Sequence, residues 1–130
     1  MIRVIVIDDD IDTAEVLKEY LTVYGFEVSG IGYNGSDAVE LYKKYQPDVV
    51  FLDVMMPDFD GFYGLRNIRY LDSKAKVIMV TADLTEETEE KLETLQASGI
   101  AYKPYDIENL VDLTKKILNE DSPLISQSEF

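Results

Sequence analysis

Three carboxylates stand side by side at Asp8, Asp9 and Asp10, directly behind the apolar run Val4-Ile5-Val6-Ile7. Asp53 closes a second such run, "VVFL", and Thr81 closes a third, "VIMV". Lys103 follows the short stretch Ile100 to Tyr102. Adjacent like charges repel, and burial raises carboxylate pKa values. A chain that ends core segments in acids must therefore offset that charge. Several carboxylates with one lysine and one hydroxyl suit a hard divalent cation and a phosphoryl group. Mg²⁺ takes oxygen ligands and keeps several waters, so one or two carboxylates are enough. The chain has neither cysteine nor histidine. That excludes a disulfide, a thiolate nucleophile, a Cys-based zinc site, an imidazole base and a phosphohistidine of its own.

The segments that carry these residues alternate in period. Arg3 to Ile7, Glu27 to Ile31, Asp48 to Leu52, Lys76 to Val80 and Ile100 to Tyr102 read as strands. Between and after them lie five helical patterns. Asp12 to Tyr24 places Leu17, Tyr20, Leu21 and Tyr24 on one face, and Gly25 suits its stop. Ser36 to Tyr45 repeats Ala38, Leu41, Tyr42 and Tyr45, and Phe62 to Leu71 forms the third helix. Thr85 to Ser98 is an acidic helix with Leu84, Thr88, Leu92 and Leu95 inward. Asp106 is an N-cap candidate for a last helix with Ile107, Leu110, Val111, Thr114, Ile117 and Leu118 on one face. Strands alternating with helices argue for an α/β fold, a parallel sheet with helices on both faces. The uninterrupted apolar strands agree, since a strand covered on both sides has no polar face. In such sheets the site lies beyond the carboxyl ends of the strands. Asp8, Asp9, Asp53, Thr81 and Lys103 all fall there.

Length and charge bound the rest. The 130 residues suit one domain, and a hydrophobic content of 46% suits a globular one. Twenty-six acids against 12 bases leave a formal net charge of −14, which repels nucleic acid and argues against binding it directly. The apolar start is short and runs into acids, unlike a signal peptide. No stretch nears the roughly 20 apolar residues of a membrane span. The expected location is the cytoplasm, with no membrane partner.

With the motifs in place, the chain resembles the response-regulator receiver domains of two-component signalling, the chemotaxis-type single-domain members among them. The resemblance covers about residues 2 to 119 and rests on "VIDDD", "FLDVMMPDFDG", "VTA" and "YKPY" after the first, third, fourth and fifth strands. It implies a flavodoxin-like, five-stranded parallel sheet in the order 2-1-3-4-5, the order that receivers of this kind exemplify. It implies that Asp53 is the phosphoacceptor. Asp8, Asp9, Asp53 and the backbone carbonyl of Met55 would hold Mg²⁺, with Mn²⁺ able to substitute. Asp9 would bind the ion directly and Asp8 mainly through water. Thr81 and Lys103 would sense the phosphate, with no catalytic residue beyond these. The donor would be a phosphohistidine on a sensor histidine kinase or a phosphotransfer protein. A downstream protein would read the face made by the fourth helix, fifth strand and fifth helix, carrying Tyr102 and Tyr105. A monomer is expected, or a dimer once phosphorylated. No separate substrate is implied, so the chain is not expected to be an enzyme beyond its own phosphorylation and slow dephosphorylation.

Asp10 is not required by the resemblance and reads as surface charge near the first helix. The aromatic residue that many receivers carry three positions before the lysine is here Ile100. Tyr102 projects to the same side of the strand and is the candidate for that role. Met55 and Asp83 occupy positions thought to tune dephosphorylation; Asp83 could orient a water and Met55 could not. Gly30 to Gly35 matches G-x-G-x-x-G, but it follows the second strand and faces acids without a cation, so its glycines read as a loop. The expected division is a receiver over 1–119 and a flexible C-terminal tail over 120–130. Two alternatives stay open: the receiver part of a longer DNA-binding regulator, and an Mg²⁺-dependent phosphotransfer enzyme acting on a small molecule.

Overall fold

The computed structural model describes residues 1–119 and the strand Ile125–Ser126. The elements follow as β1 (Arg3–Ile7), α1 (Ile11–Val23), β2 (Glu27–Gly32), α2 (Gly35–Tyr45), β3 (Val49–Asp53), α3 (Gly61–Leu71), β4 (Val77–Thr81), α4 (Glu86–Thr94), β5 (Gly99–Tyr102), α5 (Ile107–Leu118) and β6 (Ile125–Ser126). The first five strands pair in parallel in the order β2-β1-β3-β4-β5, as expected. β6 adds two residues beside β5, opposite Gly99 and Ile100. The expectation of a flexible tail over 120–130 otherwise lies outside the described residues. None of the described helices is long and apolar enough to cross a membrane.

Strand alternation builds two cores from the same runs. Ile5, Ile7, Val50, Leu52, Val77, Met79 and Ile100 face one side and meet Ala38 and Tyr42 of α2, Leu65 and Ile68 of α3, and Leu92 of α4. Val4, Val6, Val49, Phe51, Ile78 and Ala101 face the other, against α1 and α5. β3 and β4 are buried along their whole length, so their side chains had to be apolar on both faces until the last residue.

Two helices differ from the periodic reading. In α1 the inner face is Ala14, Leu17 and Leu21, while Tyr20 and Tyr24 are exposed. A count of large apolar residues passes over Ala14, which fits where α1 lies close to the sheet. α4 stops at Thr94, not Ser98, because Gln96 turns left-handed at φ 63°. Ala97 and Ser98 then enter the core ahead of β5, and Leu84 is exposed at 73%. The remaining helices begin where expected, with Asn34, Asp60 and Asp106 capping α2, α3 and α5.

The glycines of the G-x-G-x-x-G stretch serve packing. A Cβ on Gly32 would stand 2.9 Å from the Ile7 side chain and 2.7 Å from Asp37 Cβ; one on Gly35 would meet the Asp60 carbonyl oxygen. Gly35 N–H donates to the Phe59 carbonyl at 2.6 Å, joining the start of α2 to the loop behind β3. Gly61 is tighter still. Its N–H donates to the Val54 carbonyl at 2.9 Å, and a Cβ there would meet the Asp53 carbonyl oxygen and come within 2.7 Å of Val54 Cα. Gly61→Ala should therefore force the β3–α3 loop off the strand end and cost about 2 kcal/mol of stability. Denaturant midpoints measure this, and a midpoint equal to the parent's would show that the loop yields.

Candidate functional site

The sheet brings the expected residues to one edge. Asp8 and Asp9 follow β1, β3 ends in Asp53 and β4 in Thr81, and Lys103 follows β5. Register fixes their heights: Asp53 lies opposite Val80, and Thr81 opposite Tyr102. The pairing continues past the strands, with Asp8 N–H on the Gly32 carbonyl at 3.1 Å and Lys103 N–H on the Thr81 carbonyl at 2.8 Å.

Oxygens of Asp8, Asp9 and Asp53 lie within 4.8 Å of one another. Asp8 and Asp53 are each only 7% exposed, whereas Asp9 is open to solvent. The Lys103 ammonium sits 3.4 Å from Asp8 Oδ2 and 3.3 Å from Asp53 Oδ2, one cation shared by two buried carboxylates. Both distances exceed the 2.7–2.9 Å typical of a tight charged bond. Backbone N–H groups supply the rest: Asp10 N–H donates to Asp8 Oδ1 at 2.9 Å and Met55 N–H to Asp53 Oδ1 at 3.3 Å. The Met55 side chain itself is exposed. Asp10 accepts from the N–H groups of Asp12 and Thr13, so it caps α1.

Burial pushes the Asp53 carboxyl above its ordinary value and Asp8 adds to the rise; Lys103 and the Met55 N–H oppose it. Burial works against the charge on Lys103, but Asp53 and Asp8 outweigh it and hold the ammonium above its usual value. Thr81 is fully buried, and its Oγ1 accepts the Asp83 N–H at 3.0 Å.

Tyr102 and Tyr105 are both half-buried and pack on the two sides of the sheet, the α4 side and the α5 side. Tyr102 packs against the core that holds Ile100 and Leu92, and burial, then Glu89 and Glu93, raise its phenol. Tyr105 packs on the α1 and α5 side and, with Thr13, lines the small cleft beside Asp8, Asp53 and Lys103. Strand alternation stops at Lys103, so position alone could not assign Tyr105; its signal was adjacency to "KP". The Lys103–Pro104 peptide is cis.

A model of the response regulator receiver domain matches residues 4–115. The chain belongs to this family. It is 32% identical over 119 residues to the chemotaxis protein CheY of Bacillus subtilis, which covers 90% of this chain and 98% of that protein. A CheX–CheY–BeF3–Mg²⁺ complex from Borrelia burgdorferi superposes with a TM-score of 0.84 at 30% identity, over 89% of this chain and 88% of that one. A DNA-binding response regulator of the LuxR family from Staphylococcus aureus gives 0.86 at 30% identity, over 92% and 100%. The chain is thus a receiver of two-component signalling, and the strand order expected from the resemblance is the one it has.

Burial of Asp53, with Asp8 beside it, outweighs Lys103 and raises its carboxyl, so ionised Asp53 opposes the fold. Its folded pKa lies above that of the unfolded chain, so its contribution is most favourable below the ordinary carboxylate range. That contribution is lost as pH rises through the raised value. At pH 7 without metal, Asp53→Asn should melt a few degrees higher than the parent, and the gap should close toward pH 4. A lower melting temperature would show that the Lys103 pair outweighs the repulsion.

Proposed function

We propose that Asp53 is the phosphoacceptor of this receiver and that Asp8, Asp9, Thr81 and Lys103 serve its transfer reaction. The observation that carries this is the convergence of three carboxylates within 4.8 Å beneath one shared ammonium. An all-oxygen donor set of this kind fits Mg²⁺, or Mn²⁺ in its place. Asp8, Asp9, Asp53 and the Met55 carbonyl would hold the ion, and when bound it supplies positive charge for the phosphoryl oxygens.

The chain's own groups do the rest. An oxygen of Asp53 attacks phosphorus, and the bond to the donor nitrogen breaks. The electron pair leaves with a histidine on a sensor kinase or phosphotransfer protein, since this chain has no histidine. Lys103 stays charged and offsets the negative charge of both the new phosphoryl group and Asp8. Thr81 turns its hydroxyl to a phosphoryl oxygen, and Tyr102, half-buried at the end of β5, answers the space that opens. Nothing else is transformed, so the chain works as a switch without a separate substrate, in the cytoplasm, as a monomer or as a dimer once phosphorylated.

The output face in this reading is α4, β5 and α5, read by a downstream protein. The Borrelia complex pairs a CheY with another protein, CheX. A second reading, the receiver of a longer DNA-binding regulator, is favoured by the Staphylococcus relative. A phosphotransfer enzyme acting on a small molecule has no such support.

Acetyl phosphate with Mg²⁺ should add the mass of one phosphoryl group to the parent and none to Asp53→Asn; equal labelling of both would refute the assignment. α4 carries Glu86, Glu87, Glu89, Glu90 and Glu93, which favours a basic partner. Glu89→Lys with Glu93→Lys should slow association of the phosphorylated receiver with that partner about tenfold at low salt. The difference should fade near 0.5 M salt, about where screening shortens to a few ångströms. An on-rate indifferent to both reversal and salt would place the partner on another face.

A further inference from the structure

α4 is the least supported helix around the site. It has nine residues, Leu92 as its buried anchor and glutamates over most of its surface. A helix this short is marginal by itself, so its ends decide whether it stays wound. Its second half is tied down by Leu92 and by Lys91, whose ammonium lies 4.1 Å from the centre of the Phe62 ring on α3. Its first turn depends on polar bonds. The N-cap bond from Thr88 N–H to Thr85 Oγ1 is long, at 3.3 Å. Asp83 supplies the stronger clamp, because Oδ1 accepts the Thr85 N–H at 2.9 Å and Oδ2 accepts the Thr88 hydroxyl at 2.6 Å.

The same residue reaches the site through its backbone. Asp83 N–H donates to Thr81 Oγ1 at 3.0 Å, the hydroxyl assigned above to the phosphoryl group. One continuous chain of bonds therefore runs from that hydroxyl through Asp83 to the first turn of α4. Both carboxylate oxygens of Asp83 accept bonds from the start of the helix, which turns the carboxylate toward α4.

We propose that Asp83 is a positioning residue that couples the Thr81 hydroxyl to the start of α4, and that its carboxylate does not act on the phosphate. When Thr81 moves toward a phosphoryl oxygen, the Asp83 N–H loses its acceptor. Asp83 is half-buried between the exposed Ala82 and Leu84, so its freed N–H turns to a new acceptor, and the loop's rearrangement draws its carboxylate off Thr85 and Thr88. The first turn of α4 then loosens while the second half stays on the core. The proposal rests on the role given to Thr81 above.

Amide hydrogen exchange separates the two readings. In untreated protein, Asp83→Ala and Thr88→Val should each speed exchange in the first turn of α4 about fivefold, the ratio expected for a lost cap. Asp83→Asn, which keeps a side-chain acceptor, should stay closer to the parent. After acetyl phosphate and Mg²⁺, Thr88→Val should carry the phosphoryl group as fully as the parent and lose it at a rate within about twofold. Its α4 amides should shift less on phosphorylation, because the helix start is already free. Unchanged α4 exchange in both Asp83→Ala and Thr88→Val overturns the proposal, and a tenfold change in hydrolysis for Asp83→Ala in that case assigns Asp83 to the phosphate. A parent that takes up no phosphoryl group sinks the reading of Asp53 instead, and the exchange comparison on untreated protein still decides on Asp83.

Discussion

One ammonium held between two buried carboxylates governs the rest of this structure. Lys103 sits between Asp8 and Asp53 with Asp9 close by, so three negative charges face one positive charge where the sheet ends. Water would screen them, but Asp8 and Asp53 are nearly covered. At short range in a medium of lowered dielectric, an unbalanced pair costs far more than a surface pair. The fold therefore holds the pocket at a free-energy disadvantage that added positive charge relieves. In the proposed reaction a cation and an incoming phosphoryl group would both act on this balance.

Holding that balance requires a rigid frame, and the sheet provides it. β3 and β4 are buried throughout, and the ladder extends beyond the strands through bonds at Asp8, Val54 and Lys103. On the α2 and α3 side the frame is close-fitting. Gly35 meets the β3–α3 loop with no room for a side chain, Gly61 does the same behind Asp53, and Asp60 caps α3 between them. This explains why the glycine pattern near β2 resembles a nucleotide motif without being one: both uses need close backbone approach, and here the neighbour is protein.

How much of this was legible in the sequence follows from the range of each interaction. The strands were legible because burial on both faces demands uninterrupted apolar runs, and the site residues because each follows such a run. The strand order came from resemblance to a family, since pairing between distant segments leaves no local mark. Tyr20 and Tyr24 were misplaced because aromatic residues count as core in a periodic reading, whereas the inner face of α1 begins with the small Ala14. The end of α4 was overrun because nothing in "TLQAS" marks Gln96 as the left-handed residue. The bonds from Asp83 to Thr85 and Thr88 were invisible for a similar reason: they depend on how one loop folds back on the helix that follows it. The sequence places Asp83 two residues after Thr81; the structure adds that its carboxylate bonds to Thr85 and Thr88.

The two sides of the molecule differ in how firmly they hold what surrounds the pocket, and under the proposed mechanism that difference would give a signal its direction. Arg69 of α3 donates to the Gln96 carbonyl at 2.9 and 2.6 Å and to Ser98 Oγ at 3.1 Å, pinning the loop between α4 and β5. Together with Leu92, this fixes the far end of α4 to the same rigid half that carries α2 and α3. Among the described residues, the near end is held by the capping bonds around Asp83 and Thr85. A displacement that begins at Asp53 meets close-packed backbone toward α3, where any movement must shift the glycine contacts. Toward α4 it meets a few polar bonds, each worth only about 1 kcal/mol net. In the proposed mechanism the change in charge balance would therefore spend itself where resistance is least, at the start of the most acidic helix.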